Sequence, residues 1–181
     1  MSANRNANLV WAGIIIAVII LADQVTKLWA VSALTGGPSV SVWGEFFMLT
    51  LVYNQGGALG TSFGSPTYYL IASPLILLFV LYYIYSHAHI RTIALALAFV
   101  AGGAIGNIID RIRLGYVIDF LDFDFFDISL GGWRIERWWA FNIADAAISC
   151  AIVFLIVWLL TAGRPKEYAS EQTPPVEAEQ I

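Results

Sequence analysis

The chain has one cysteine, two histidines and two methionines, and only 12% of its 181 residues are Asp, Glu, Lys or Arg, against 59% that are hydrophobic. Each scarcity excludes something. So little charge cannot cover a globule in water, which points to lipid as the solvent. The lone cysteine, Cys150, forbids an internal disulfide, and there is no Cys/His cluster at metal-ligand spacing. Nine Lys and Arg against 13 Asp and Glu leave a net charge of -4 and no basic surface for nucleic acid. Also missing are the His-Glu-x-x-His run of zinc peptidases, the Gly-x-Ser-x-Gly elbow of serine hydrolases, and a cysteine with a histidine partner.

What is present is four apolar runs. Crossing a bilayer as a helix takes about 20 residues, and runs at about 9–31, 68–85, 92–109 and 139–160 meet that length. The expected fold is an all-α membrane protein of four transmembrane helices in one domain, residues 1–162. Two long connections, 32–67 and 110–138, share one face, the first of them β-rich. The tail from 163 to 181 is rich in Pro and Glu and reads as disordered. A cleaved signal peptide, suggested by Arg5 and Val31-Ser32-Ala33, is the weaker reading of the N-terminus. Charges at Asp23 and Lys27 do not suit such a segment, and three spans follow. Tyrosines at 68, 69, 82, 83 and 85 bracket the second span, and Trp138, Trp139 and Trp158 the fourth, as interfacial aromatics do. Gly102 and Gly106 stand one turn apart in the third span, where small residues let a neighbouring helix approach. Cys150, mid-span, is expected to be a small buried core residue. His87 and His89, in the short 86–91 connection, are expected to face solvent or headgroups. Counting Lys and Arg does not orient the protein: Arg5, Arg91, Arg164 and Lys166 on one face balance Arg111, Arg113, Arg134 and Arg137 on the other.

The polar residues gather on the face that carries the long connections, which exceed ordinary helix-to-helix turns. Asp23, Gln24, Thr26 and Lys27 lie inside the far end of the first span, where polar groups are costly. Val40 to Tyr53 is β-prone, and its glycine-rich continuation, Asn54-Gln55-Gly56-Gly57-Ala58-Leu59-Gly60, allows close backbone approach. Asn54 could bind a peptide backbone, although spacing alone favours an ordinary turn asparagine. Asn107, Asp110 and Arg111 fall at i, i+3 and i+4 on one helical face. Asp119 has bulky apolar neighbours on both sides, a setting that raises a carboxyl pKa by desolvation, whereas Asp122, Asp124 and Asp127 read as solvated loop acids. Asn142 and Asp145 lie one turn apart at the start of the fourth span. Two carboxyls in contact share a proton, so one can take a proton from water while the other polarises a carbonyl, with no metal or cofactor. Spacing does not say which two acids touch. Two rival readings are a carboxylate-lined transporter or proton channel and a scaffold in which Asp23 and Lys27 form only a buried ion pair. Against the first, spans two, three and four are nearly free of polar groups in the other half of the membrane, where a conduction path would need them.

Five blocks, in order, resemble the lipoprotein signal peptidases (signal peptidase II), four-span bacterial aspartic proteases. They are Asp23-Gln24-Val25-Thr26-Lys27, Asn54-Gln55-Gly56-Gly57-Ala58, Gly106-Asn107-Ile108-Ile109-Asp110-Arg111, Val117-Ile118-Asp119-Phe120 and Phe141-Asn142-Ile143-Ala144-Asp145. The resemblance implies that Asp119 and Asp145 form a catalytic dyad cutting just before a diacylglyceryl cysteine in lipid-modified prolipoproteins. It implies that Asp23, Lys27, Asn54, Gly56, Asn107, Asp110, Arg111 and Asn142 bind substrate or support the dyad. It further implies an inner-membrane protein in contact with lipid, both termini cytoplasmic and the site outward; a monomer is the expected state. Leu59 and Ala146 depart from residues common in the family, which touches substrate preference rather than the dyad.

Overall fold

The computed structural model describes residues 2–56, 66–124, 128–130, 133–135 and 139–161. Gly57 to Gly60, Asp127, Arg137, Trp138 and the 163–181 tail lie outside them. Among the described residues four helices are long and apolar enough to cross a membrane: α1 (Ser2–Leu34), α2 (Pro66–Ser86), α3 (Arg91–Leu114) and α4 (Ile143–Thr161). Between α1 and α2 come β1 (Val40–Trp43) and β2 (Phe47–Asn54). Between α3 and α4 come β3 (Val117–Phe123), β4 (Ile128–Leu130) and β5 (Trp133–Ile135).

The bundle is built around α3, which packs on each of the other three helices. In its most apolar stretch 44% of residues are buried, against 6% in α2, whose apolar surface faces lipid instead. Small residues make this closeness possible. A Cβ on Gly103 would strike the Ala144 carbonyl oxygen and come within 2.8 Å of Ile148 Cγ1, and one on Gly102 would lie 2.9 Å from Ile19 Cβ. The core is accordingly alanine-rich, with Ala12, Ala94, Ala98 and Ala101 nearly inaccessible, while Val18, Leu21, Leu75, Phe79, Val153 and Leu160 point outward. Cys150 belongs to the outward set: it is exposed, not a core residue. In lipid the outer surface is as apolar as the interior, so an apolar run does not tell which side a residue faces.

Helix ends differ from the sequence expectation for local reasons. α1, at about 1.5 Å per residue, is about 50 Å long and outruns a hydrocarbon core of about 30 Å. α3 continues past residue 109 to Leu114, so Asp110 and Arg111 are helical. It stops at Gly115, whose φ of 81° is left-handed and whose N–H reaches the Arg111 carbonyl at 3.1 Å. α4 begins at Ile143 rather than 139, because Phe141 is held in extended pairing with Leu121 by Phe141 N–H to Leu121 O at 2.9 Å and Leu121 N–H to Phe141 O at 2.8 Å.

The strands bring both long connections together. β1, β2 and β3 form an antiparallel sheet in that order, and β4 pairs with β5. Across β2 and β3, Asn54 pairs with Val117 and Val52 with Asp119, after an irregularity between Leu49 and Val52. Phe120 anchors β3 on α1, buried against Ala30 and Leu34 with its ring 6.3 Å from that of Trp29.

Gly103→Ala is expected to destabilise the protein by about 1–3 kcal/mol, because a backbone carbonyl on α4 must move. Gly13→Ala, where a Cβ meets nothing within 4 Å, leaves the unfolding midpoint unchanged or raises it. Thermal unfolding of both variants in one detergent checks the contrast.

Candidate active site

An ammonium is the first feature to explain, because Lys27 is 1% exposed on a span where charge is costly. Its Nζ lies 2.8 Å from Asp23 Oδ2 one turn earlier, 2.8 Å from Asp110 Oδ2 on α3, and 2.9 Å from Asn107 Oδ1, to which it donates. Three N–H groups thus meet three acceptors. The acceptors are themselves held: Ala144 N–H donates to Asp23 Oδ1 at 3.0 Å, and Ile118 N–H to Asp110 Oδ2 at 3.2 Å. Gln24 Nε2 donates among Asp110 Oδ1 at 3.0 Å, Asp23 Oδ2 at 3.2 Å and the Gly106 carbonyl at 3.2 Å. A Cβ on Gly106 would sit 2.5 Å from Asp23 Oδ2, so only glycine leaves room for this carboxylate between α1 and α3. The cluster ties α1, α3, β3 and the first turn of α4 to one cation.

Asn107 passes this order onward. With its Oδ1 fixed by Lys27, its Nδ2 points at Asp145 and donates to Oδ1 at 2.8 Å. Asn142 caps α4: its Oδ1 accepts the Asp145 N–H at 2.9 Å, while Asp145 Oδ2 accepts the Asn142 N–H at 3.4 Å, a reciprocal capping box that orients the acid. The same Asn142 donates from Nδ2 to Asp119 Oδ1 at 2.7 Å and shares that amide with Asn107 Oδ1 at 3.1 Å and the Ile118 carbonyl at 3.3 Å. Asn54 completes the arrangement, donating from Nδ2 to Asp119 Oδ2 at 2.9 Å while its Oδ1 accepts the Gly56 N–H at 2.8 Å. Asp119 and Asp145 are therefore joined through one residue, with Asp119 1% exposed and Asp145 partly exposed.

Burial pushes the Asp119 carboxyl up to about 7, and the Asp145 charge raises it as well. The hydrogen bonds from Asn54 and Asn142 and the Lys27 charge oppose that rise. A carboxyl in this state exchanges a proton near neutrality, as general acid–base chemistry requires.

Of the residues singled out in the sequence, Asp23, Lys27, Asn54, Asn107, Asp110, Asp119, Asn142 and Asp145 fall in one hydrogen-bonded network. Arg111 and Gly56 meet beside it, through Arg111 Nη2 donating to the Gly56 carbonyl at 3.1 Å, with the guanidinium 5.8 Å from the Tyr69 ring. Asn54 thus makes the bond expected of a turn asparagine, through Gly56 N–H, and reaches Asp119 as well. Asp122, expected to be solvated, is buried in β3 and accepts from Thr50 Oγ1 at 2.7 Å, because strand pairing turns it under the sheet. Tyr69 and the backbone N–H groups of Ile118 and Ala144 were not among the candidate residues, and Gln24, noted among the polar groups of the first span, had been given no role. Gln24 has a polar signal in an apolar run; a backbone group has none.

Residues 15–161 match the family model described as signal peptidase (SPase) II. The chain is 40% identical over 158 residues to a lipoprotein signal peptidase of Janthinobacterium sp. (strain Marseille), covering 85% of this chain and 90% of that protein. It is 40% identical over 150 residues to one of Burkholderia mallei (strain SAVP1), covering 81% and 84%. Two solved structures, each described as a bacterial membrane enzyme determined by the in meso method, superpose with TM-scores of 0.71 and 0.70. Their identities are 26% and 29%, with coverage of 91% and 84% of this chain and 94% of each neighbour.

Lys27→Met leaves two buried carboxylates without their cation and is expected to cost about 3–5 kcal/mol. Asp110→Asn, which retains an acceptor for the Ile118 N–H, costs less. Unfolding midpoints in detergent rank the two variants.

Proposed function

The chain belongs to the signal peptidase II family, a multi-pass bacterial membrane peptidase of prolipoprotein signal peptides, and on that premise we propose that it is an aspartic endopeptidase with Asp119 and Asp145 as its dyad. The bond cut is the one just before the diacylglyceryl cysteine of a lipid-modified prolipoprotein. The observation that carries this reading is the bridging of the two carboxyls through Asn142, one of them poised near 7.

The chemistry follows from a shared proton. Two carboxyls that feel each other's charge do not both ionise readily, so near neutrality the pair holds one proton. A water between them loses a proton to the ionised carboxylate as its oxygen attacks the scissile carbonyl carbon. The protonated carboxyl hydrogen-bonds the carbonyl oxygen as negative charge builds there, and a proton then passes to the departing amine. Asn54, Asn107 and Asn142 hold the four carboxylate oxygens so that the pair need not reorganise during attack. Asp23, Lys27 and Asp110 support the dyad from beneath, and Arg111, held on the Gly56 carbonyl, stands beside it to meet substrate. A lipid-anchored cysteine holds its bond at the membrane surface, which suits a dyad at the ends of α3 and α4. In this reading the dyad faces outward, both termini are cytoplasmic, and the protein acts as a monomer.

A carboxylate-lined channel is disfavoured by where the acids lie. Among the described residues the acids lie toward one end of the bundle, and α2 and the far half of α4 carry none.

Asp119→Asn and Asp145→Asn are each expected to fold with wild-type yield and to lower cleavage of lipid-modified precursor by about 10²–10⁴-fold. Near-normal cleavage by either variant, or equal cleavage of unmodified precursor, sinks the proposal. Activity should fall as pH rises through about 7, the value for Asp119, because the shared proton is then lost. Asn54→Ala removes a bond that holds Asp119 down, so its alkaline limb moves to higher pH. A pH–rate profile of both proteins reads the sign of that shift.

A further inference from the structure

At the end of the bundle opposite Asp119 and Asp145, the described residues carry Arg5, His87, His89 and Arg91 and no Asp or Glu. Arg5 is occupied by Tyr85, donating from Nη2 to its carbonyl at 3.3 Å with the guanidinium 4.5 Å from its ring. Arg91 is exposed and makes no ion pair among the described residues. It stands where two hollows meet. One is an apolar groove of about 460 Å³ between α3 and α4, floored by Leu95, Phe99, Cys150 and Phe154. The other is a polar notch of about 270 Å³ formed with Asn4, Asn8, Trp11 and His89. The groove runs from Arg91 to Phe99, which along a helix is about 12 Å into the bilayer.

We propose that this groove is a binding site for one anionic phospholipid of the leaflet opposite the dyad, its phosphate at Arg91 and one acyl chain along Leu95, Phe99 and Phe154. Charge complementarity selects the occupant. Basic groups at a membrane surface attract anionic lipids, and here an exposed guanidinium with no ion pair among the described residues sits at the mouth of an apolar slot whose volume is within the range of ordinary ligand sites. A neighbouring groove of about 260 Å³, lined by Phe79, Tyr83, Leu97 and Trp158, has no charged residue among its lining residues. It offers an acyl chain a surface but a headgroup nothing. Ile90 supplies no side-chain cap to α3, so the leading N–H groups of that helix add to the positive potential around Arg91. The bound lipid would bridge α3 and α4 at the end remote from Asn107 and Asp145 and steady the helix pair that carries them.

The site is independent of the peptidase reading and is tested without a cleavage assay. The full chain in neutral detergent is titrated with phosphatidylglycerol, with phosphatidylcholine of the same acyl chains, and with glycerol 3-phosphate, and one-to-one complexes are counted by native mass spectrometry. Phosphatidylglycerol should bind about fivefold more tightly than phosphatidylcholine, the equivalent of about 1 kcal/mol for one basic group. Arg91→Gln should erase that preference, and Cys150→Trp, which fills the groove, should weaken both lipids. Unfolding midpoints of the variants are measured alongside. If Cys150→Trp does not fold, Arg91→Gln decides alone, since Arg91 is exposed. Equal binding of the two lipids, a preference that survives Arg91→Gln, or glycerol 3-phosphate binding as tightly as the lipid overturns the proposal. So does a dimer that phosphatidylglycerol fails to displace, because a second copy would then occupy the groove.

Discussion

Lys27 is an ion in a place where ions are expensive, and the surrounding structure is arranged to keep it there. Removing an ammonium from water costs several kcal/mol even after relaxation, and Asp23, Asp110 and Asn107 offset that cost with three short contacts. Those acceptors come from two helices and are fixed in turn by backbone N–H groups of β3 and α4. The glycines of α3 follow from the same demand: Gly106 makes space for the Asp23 carboxylate, and Gly103 lets α4 come close enough for the Ala144 N–H to reach it.

Asn107 turns this charge cluster into orientation. An amide can flip with little change in shape, but an ammonium on Oδ1 leaves Nδ2 as the donor toward Asp145. Asn142 does the corresponding work for the other carboxyl, since the residue that starts α4 as its cap also donates to Asp119. Helix capping and site assembly are thus one event. A helix start is also where irregular backbone must find partners in a membrane, and the Phe141–Leu121 pairing supplies them. The strand carrying Asp119 and the helix carrying Asp145 are stitched one residue before the cap.

The two ends of the bundle are chemically unlike. One gathers the described acids around a buried lysine and a three-stranded sheet; the other holds exposed basic groups above apolar grooves. Catalysis of the proposed kind needs water at one surface, and that surface must be polar and enclosed. The other end meets headgroups, and a helix pair that separates easily there would loosen Asn107 and Asp145.

The spans, the β-prone stretch before Asn54 and the identity of the unusual polar residues were legible in the sequence because each is a local contrast, whereas β3, β4 and β5 in the second connection were not. Asp23 and Lys27 interrupt an apolar run, Asp119 is flanked by bulky side chains, and Gly102 and Gly106 share a helix face. The partner of each was not legible. That Asn54 meets Asp119 depends on β2 and β3 pairing across two connections separated by α2 and α3, and strand register is not encoded near either residue. Cys150 turned out to face outward and Asp122 to be buried, for opposite reasons. In lipid an apolar side chain is at home on either surface, and an acid in a loop can be turned under a sheet once that sheet forms. By itself the sequence determined which residues could not rest in hydrocarbon without help. Only the tertiary structure decided who helps them, because the contacts that neutralise Lys27 and bridge the two aspartates join residues from 23 to 145.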